Sequence, residues 1–257
     1  MNRYLQNLNR LEFLITLACT GRCRHCSQGE HAAGGGHIDG EAAARAVRQL
    51  CEKTAIRSLM TFGGEPLLYP EEVFKVHTAA RQMNIPSRQL ITNGFFSRDI
   101  QKIKEVAKGL AESGVNAVLL SVDAFHQESI PLQPVKAFAG AVKAEGILLK
   151  AHPAWLKGEK AQNPYDQRTA EILREFEEMG IPASEGNLIF LSGNALSYLS
   201  EYFEGEKAPA NPYEQDPSDI RSLCVSPDGS LLGGNICKDS ILEIIEGYLP
   251  PKGQEGF

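Results

Sequence analysis

Residues 11–26 read LEFLITLACTGRCRHC, an apolar run of strand length followed at once by three cysteines in a C-x3-C-x2-C spacing. Cys19, Cys23 and Cys26 therefore lie where a strand passes into a loop. Iron–sulfur clusters are usually held by four thiolates, so a four-iron cluster bound by three keeps one iron free for a ligand that is not protein. The stretch predicts an enzyme with an iron–sulfur site at the end of its first strand.

Length and charge limit the kind of protein that carries this site. The chain has 257 residues, and its 26 Lys and Arg against 32 Asp and Glu give a formal charge of −6. One main domain is expected, with no general attraction to nucleic acid or to an anionic membrane. No apolar run reaches the roughly 18 residues of a membrane span, and Met1–Arg10 lacks the layout of a secretion signal. We therefore expect a cytoplasmic protein, whose six cysteines serve metal binding or catalysis instead of disulfides.

Apolar runs of strand length alternate with stretches of helical period through residues 11–192. The strand candidates are Leu11–Leu17, Ile56–Thr61, Gln89–Thr92, Ala117–Val122, Ile147–Ala151 and Leu188–Ser192. Gly114, Gly146 and Gly180 each follow a helical pattern and precede a strand, where a left-handed helix cap is expected. Repeated strand–helix units predict an α/β fold with a parallel sheet, as a barrel or as a doubly wound sheet. A barrel of six strands would stay open.

The pattern changes from about residue 193. Pro209, Pro212 and Pro217 lie in a polar stretch that predicts a linker, followed by a short hairpin and a terminal helix. The dipeptide Asp228-Gly229 is the hairpin signal. We therefore predict a core over residues 1–192 and a small extension over residues 193–257.

Polar residues follow each predicted strand, and the carboxyl ends of parallel barrel strands carry functional groups. The cysteines follow the first strand and Gly63-Gly64-Glu65-Pro66 the second. The next three predicted strands end in Asn93, in Ser121 with Asp123, and in His152. We expect these groups to converge on one site.

Two of these motifs together, Cys19-x3-Cys23-x2-Cys26 and Gly63-Gly64-Glu65-Pro66, resemble the radical S-adenosylmethionine (radical SAM) superfamily over about residues 11–192. The resemblance implies a partial (β/α)6 TIM-like barrel, with the three cysteines as ligands of a [4Fe-4S] cluster and SAM on its fourth iron. It implies that the reduced cluster cleaves SAM to a deoxyadenosyl radical, which abstracts hydrogen from a peptide or small-molecule substrate. A flavodoxin- or ferredoxin-type protein is the implied electron donor.

The same resemblance implies which residues contact SAM. Gly63, Gly64, Glu65 and Pro66 match the motif that binds the methionine moiety, although a structural role for Glu65 is the alternative. Ser121 and Asp123 match an S-x-D pattern on the fourth strand, and Asn93 matches a polar position on the third. His25 stands where many members have an aromatic residue near the adenine.

Several assignments stay open at this point. Asp123 and His126 are the candidate catalytic residues, with a plain loop contact as the alternative for His126. His152 has no assigned role, and Trp155 either covers the site or packs in the core. The run Gly34-Gly35-Gly36 predicts a mobile cluster loop.

One further assignment concerns the C-terminal segment, and two alternatives concern the whole protein. The C-terminal segment resembles a truncated SPASM/Twitch-type appendage, but only Cys224 and Cys237 lie there, so no auxiliary cluster is expected. A glycyl-radical-enzyme activase is an alternative to a peptide-modifying enzyme. A non-catalytic iron–sulfur or zinc protein, with His25 or His31 completing a zinc site, is the alternative of a different class.

Overall fold

Six parallel strands form the central sheet of the protein. They are β1 (Arg10–Leu14), β2 (Ser58–Phe62), β3 (Ser87–Thr92), β4 (Ala117–Ser121), β5 (Leu148–His152) and β8 (Ser222–Val225). Their order across the sheet is β5-β4-β3-β2-β1-β8. The computed structural model describes residues 2–31, 35–205 and 207–251, so Gly34 of the glycine run and residues 252–257 of the extension lie outside the described residues.

Helices follow the strands of the central sheet. They are α1 (Gly40–Cys51), α2 (Pro70–Gln82), α3 (Ile100–Ser113), α4 (Ala124–Gln127), α5 (Leu132–Ala144), α6 (Pro164–Glu178), α7 (Asn194–Tyr198) and α8 (Ile241–Gly247), with 3-10 turns at Arg3–Leu5, Pro66–Leu68 and Ser200–Phe203. All of these α-helices except α4 and α7 pack in the main core on one face of the sheet. The predicted caps are confirmed, since Gly114, Gly146 and Gly180 all have positive φ, at 97°, 75° and 68°. None of the described helices is both long and apolar enough to cross a membrane.

The two faces of the sheet differ in the residues they carry. Alternate residues such as Leu59, Leu90 and Val118 are fully buried in the main core against the helices. Their neighbours on the other face, such as Glu12 and Gln89, are only half-buried. This arrangement is the one expected of a partial barrel, in which helices cover the outside and a concave inner face is left for ligands.

The sixth strand differs from the prediction. Instead of joining the central sheet, the Leu188–Ser192 run contributes only to the short strand β7 (Asn187–Leu188), which pairs with β6 (Ala154–Trp155). Pro153 separates β6 from β5, and opposite it the chain kinks at Gly186, whose φ is 73° and whose missing Cβ would lie 2.2 Å from the Pro153 carbonyl oxygen. The interruption leaves the short β6–β7 ladder outside the central sheet, and the sixth strand of that sheet is β8, which pairs with β1 at the opposite edge.

The C-terminal extension packs into the same core as the barrel. β8 pairs with β1, and Leu223, Val225 and Ile241 belong to the main hydrophobic cluster. The predicted hairpin is present one turn later than expected: β9 (Ser230–Leu231) pairs with β10 (Gly234–Asn235), while Asp228-Gly229 forms the turn that leads into it.

Candidate active site

The three cysteines line one cavity at the carboxyl end of the sheet, with a volume of about 100 Å³. The other candidate site residues around it are His25, His31, Gly63, Gly64, Asn93, Ser121 and His126. Burial raises the pKa of Cys19 to about 11 and raises the pKa values of Cys23 and Cys26 above the usual range. The thiols therefore keep their protons until a metal displaces them, because metal ligation requires thiolates and releases protons.

Local hydrogen bonds shape the loop that carries the cysteines. The Thr16 hydroxyl accepts a bond from the Ala18 amide at 3.0 Å. The Arg22 guanidinium donates to the carbonyl oxygens of Cys19 and Gly21 at 2.9 and 2.8 Å. These bonds turn the chain directly after β1, so that the three sulfur atoms border a common space.

Gly63 and Gly64 join the end of β2 to the segment that enters the cysteine loop. The Gly64 amide donates to the Thr16 carbonyl at 2.8 Å. A Cβ at Gly63 would lie 2.5 Å from the Thr16 oxygen, and one at Gly64 would lie 2.2 Å from the Ala18 oxygen. Only glycine fits at both positions, because the contact is backbone against backbone. The two motifs are thus halves of one structural unit, and both glycines also border the cavity.

Glu65 lies behind the cavity and is fully buried. Its carboxylate accepts bonds from the Leu67 amide at 2.9 Å, the Thr92 hydroxyl at 2.7 Å and the Asn93 amide at 2.9 Å. Burial raises its pKa to about 7, against the opposing effect of those bonds. This geometry supports the structural alternative for Glu65, since the side chain ties the end of β2 to the end of β3. Pro66, also buried, does not border the cavity either.

Asn93 and Ser121 reach the cavity from β3 and β4. The Asn93 amide nitrogen Nδ2 donates to the Thr20 hydroxyl at 3.2 Å and lies 3.6 Å from the Cys19 sulfur. Asn93 therefore contacts both the cysteine loop and the space in front of it. Ser121 ends β4 opposite His152 of β5.

Asp123 and His126 form a pair at the start of α4. Asp123 is fully buried, and its carboxylate accepts bonds from the His126 amide at 2.9 Å, from His126 Nδ1 at 2.8 Å and from the Ala154 amide at 3.0 Å. Burial alone would raise the pKa of Asp123, but the His126 imidazole outweighs it and holds that pKa below the usual range. An ionised carboxylate only accepts hydrogen bonds, so Nδ1 carries the proton and Nε2 remains for a ligand. Only His126 of the pair borders the cavity.

His25 lies between two of the cysteines and against aromatic rings. Its ring centroid is 4.9 Å from that of His126 and 5.1 Å from that of Phe125. Burial lowers its pKa to about 4, so the ring is neutral at pH 7. Its Nδ1 atom is buried without a hydrogen-bond partner among the described residues. A buried nitrogen at the edge of a cavity needs a hydrogen-bond partner, which a bound cofactor or an ordered water would supply.

Two further predicted residues, His152 and Trp155, do not reach the cavity. His152 uses both ring nitrogens elsewhere, with Ser184 Oγ at 2.7 Å from Nδ1 and Asn187 Nδ2 at 3.0 Å from Nε2. Trp155 is 5% exposed, and its indole donates to the Glu185 carbonyl at 2.9 Å. Trp155 therefore packs in the core, and His152 supports the short β6–β7 ladder.

Two other residues contact the cysteine loop: His31, which the sequence offers only as a possible zinc ligand, and Asn194, for which it gives no motif. His31 Nε2 lies 3.1 Å from the Cys26 sulfur. Asn194, far away in the chain, donates from its side chain to the Cys23 carbonyl at 3.1 Å.

Comparison with known proteins now identifies the family. Residues 13–148, more than half of the chain, match the Radical SAM superfamily. The chain belongs to the radical SAM superfamily. As a member it uses an iron–sulfur cluster and SAM as cofactors. No protein of curated function matches the chain.

Several solved radical SAM structures have a similar fold. Native anSMEcpe with bound AdoMet has a TM-score of 0.60 at 16% identity, over 93% of this chain and 80% of that one. Streptococcus suis SuiB bound to S-adenosylmethionine has a TM-score of 0.59 at 13% identity, over 94% of this chain and 66% of that one. BtrN in complex with AdoMet and 2-DOIA has a TM-score of 0.50 at 16% identity, over 94% and 83%. At these identities the likeness concerns the fold alone.

The residues present fit both cofactors of the superfamily. Three thiols, that of Cys23 buried and those of Cys19 and Cys26 half-buried, face one cavity, which suits a cluster with one iron left for SAM. Beside them the cavity has polar groups from three successive strands and the unpaired nitrogen of His25.

Proposed function

We propose that Cys19, Cys23 and Cys26 hold the [4Fe-4S] cluster of this radical SAM enzyme, and that SAM binds in the cavity beside them. When bound and reduced, the cluster supplies one electron that cleaves SAM to methionine and a deoxyadenosyl radical, which abstracts hydrogen from the substrate. The observation that carries this proposal is the single cavity that the three thiols share with Gly63, Gly64 and residues of β3 and β4.

The side chains around the cavity have separable proposed roles. Gly63 and Gly64 expose backbone to the methionine moiety of SAM. Asn93 and Ser121 offer hydrogen bonds from the neighbouring strand ends. Glu65, Pro66 and Asp123 are proposed to act on SAM indirectly, because all three are buried outside the cavity wall. His126 is the candidate for contact with SAM or substrate, held by Asp123.

The proposed substrate is a peptide or a small molecule, with a peptide favoured. One similar structure is that of anSMEcpe with bound AdoMet and the Cp18Cys peptide, with a TM-score of 0.59 at 16% identity, and BtrN is in complex with 2-DOIA. Both kinds of ligand are thus compatible with this fold. A glycyl-radical-enzyme activase stays the alternative, which incubation with a glycyl-radical enzyme would reveal through a protein-based radical signal.

Further proposals follow from the cysteines and the extension. We propose a flavodoxin- or ferredoxin-type electron donor and a cytoplasmic location, supported by six cysteines that are all free.

The segment β8–β10 and α8 is proposed to be a truncated SPASM/Twitch-type appendage without an auxiliary cluster. Its only cysteines are Cys224 and Cys237. An iron content of about four per chain supports this proposal, and about eight contradicts it.

The decisive experiment is anaerobic reconstitution with iron and sulfide, followed by incubation with SAM and dithionite. We expect a brown protein that releases 5′-deoxyadenosine, with release abolished when Cys23 is changed to Ala. Cys51→Ala is the matched control, because Cys51 lies on α1, away from the cavity. A fully loaded cluster without deoxyadenosine release would instead support an electron carrier.

One observation favours a second candidate function. Potential ligand atoms of Cys23, His25 and His126 all lie within 4.8 Å of one another. A cysteine and two histidines with an open fourth position make a plausible zinc site. Protein that takes up one zinc per chain and stays colourless with iron and sulfide would replace the cluster proposal with this one.

A further inference from the structure

Asn194, the first residue of α7, contacts two of the proposed cluster ligands. It is 6% exposed. Its side-chain Nδ2 donates to the carbonyl oxygen of Cys23 at 3.1 Å, and its backbone amide donates to the carbonyl oxygen of Cys26 at 2.9 Å. Asn194 therefore bonds to the backbone of both Cys23 and Cys26, although it lies 171 residues after Cys23 in the chain.

The preceding residue shows independently how closely the two segments approach. Gly193 has a φ of 53°, and a Cβ there would lie 2.6 Å from the Cys26 oxygen, the Ser27 oxygen and the Gly29 nitrogen. Any side chain would push the cysteine loop away, because all three atoms belong to backbone. Gly193 thus permits the close approach of the two segments, and Asn194 supplies the hydrogen bonds between them.

A buried hydrophobic cluster supports this contact. α7 and the following 3-10 turn pack in a second hydrophobic cluster, separate from the main core: Phe125, Leu156, Ile189, Ala195, Leu199 and Phe203. The Phe125 ring of this cluster is also 5.1 Å from His25, which lies between Cys23 and Cys26 in the chain. The cysteine loop is thus held from both sides by the same buried group of residues.

We propose that Asn194 is a positioning residue for the cluster. By holding the carbonyls of Cys23 and Cys26, it fixes the loop in the form that presents both sulfur atoms to the cavity before the cluster enters. Ligands held in place by second contacts bind a metal centre more tightly than ligands that must be ordered on binding. The role in cluster binding rests on the proposed function. The contact between Asn194 and the cysteine loop does not, because it is formed by the protein chain itself.

Hydrogen exchange of the cluster-free full-length chain tests the proposal directly. In Asn194→Ala, amides of residues 22–30 should exchange about tenfold faster than in wild type, because a buried hydrogen bond to the loop is lost. Amides of β3 and β4 should keep their rates. Leu196→Ala is the matched control, since Leu196 lies on the same helix and is 57% exposed. After anaerobic reconstitution, Asn194→Ala should hold less iron than the control and show an altered electron paramagnetic resonance spectrum when reduced.

A second variant guards against simple destabilisation. Gly193→Ala adds one methyl group against the loop backbone and should accelerate exchange over the same residues. Unchanged exchange at residues 22–30 in both variants, or an equal acceleration throughout the chain, would overturn the proposal. If the wild type itself takes up no iron, the proposed function fails, while the exchange result still decides whether Asn194 holds the loop.

Discussion

The ends of β2 and β4 each carry a fully buried carboxylate, and the two carboxylates have opposite surroundings. Glu65 accepts three hydrogen bonds from neutral groups and has no basic side chain within bonding distance among the described residues. Asp123 accepts two of its three bonds from His126, one of them from the imidazole. The pKa of Glu65 accordingly rises to about 7, whereas the pKa of Asp123 falls below its usual range.

The different surroundings give Glu65 and Asp123 different roles, although the two residues resemble each other in the sequence. Both acids follow a strand at the edge where the cofactor is expected, and the family resemblance implies SAM contact for both. Glu65 joins two strands that carry cavity residues, whereas Asp123 orients one imidazole that borders the cavity. Neither carboxylate reaches the cavity itself. The comparison therefore predicts that substitutions of Glu65 mainly affect folding, whereas substitutions of Asp123 also affect the site through His126.

The largest expected effect is that of Glu65→Ala. The change leaves the Leu67 and Asn93 amides and the Thr92 hydroxyl without their buried acceptor, so it should lower the free energy of unfolding by about 4 kcal/mol. Urea denaturation of the cluster-free protein measures this loss. Glu71→Ala is the control, because Glu71 is an exposed acid on the next helix. A variant that stays fully stable yet no longer binds SAM would show that Glu65 serves the cofactor directly.

The free energy of unfolding should depend on pH through the titration of Glu65. Its pKa is raised from 4.5 to about 7, so the folded protein holds this proton more tightly than the unfolded chain does. That stabilisation is fully present below pH 4.5 and is lost as the pH rises through 7. Glu65→Gln removes the titration, so its unfolding free energy relative to wild type should improve by about 3 kcal/mol between pH 4.5 and about pH 8. A constant difference would mean that the three donors keep the carboxylate ionised.

Asp123→Asn should show the opposite pH dependence. The ionised form of Asp123 is stabilised in the folded protein, so its contribution is present above the ordinary pKa of 3.8 and is lost as the pH falls below it. At pH 7 the variant should lose about 2 kcal/mol of unfolding free energy, and this loss should shrink in acid. Asp99→Asn, an exposed helix cap, should change stability by less than about 0.5 kcal/mol. Equal losses for the two variants would contradict the assigned role of Asp123.

Much of the fold follows from local signals in the sequence. The first five strands and the helices between them lie where apolar runs and helical periods predict them, because each run buries one face against helices. The sixth strand of the sheet could not be predicted in this way. Leu188–Ser192 has the composition of a strand, but Pro153 and Gly186 interrupt its ladder, and β8 reaches the sheet only through long-range pairing with β1. Pairing between distant segments leaves no trace in a local pattern.

The site was predictable only as far as motifs extend. The cysteine triplet could be found because its spacing is that of thiolate ligands, and the two glycines because few other residues permit their backbone contacts. The burial of Glu65 and the turning of His152 away from the cavity depend on neighbours such as Thr92 and Asn187, which no spacing indicates. Asn194 gives no signal at all, since one asparagine after a glycine is common in loops.

The sharpest test of the comparison is expected from His126→Ala. The imidazole is the partner of the fully buried Asp123 carboxylate, so its loss should lower the unfolding free energy by about 2 kcal/mol, as Asp123→Asn does. If Asp123 acts through His126, both His126→Ala and Asp123→Asn should lower deoxyadenosine release on the order of tenfold. The double variant should then be no slower than either single one, because the second change removes nothing that still works. His37→Ala is the control, since His37 is exposed outside the cavity. Multiplying losses in the double variant would mean that each residue acts on its own, and unchanged release in His126→Ala would reduce His126 to a loop contact.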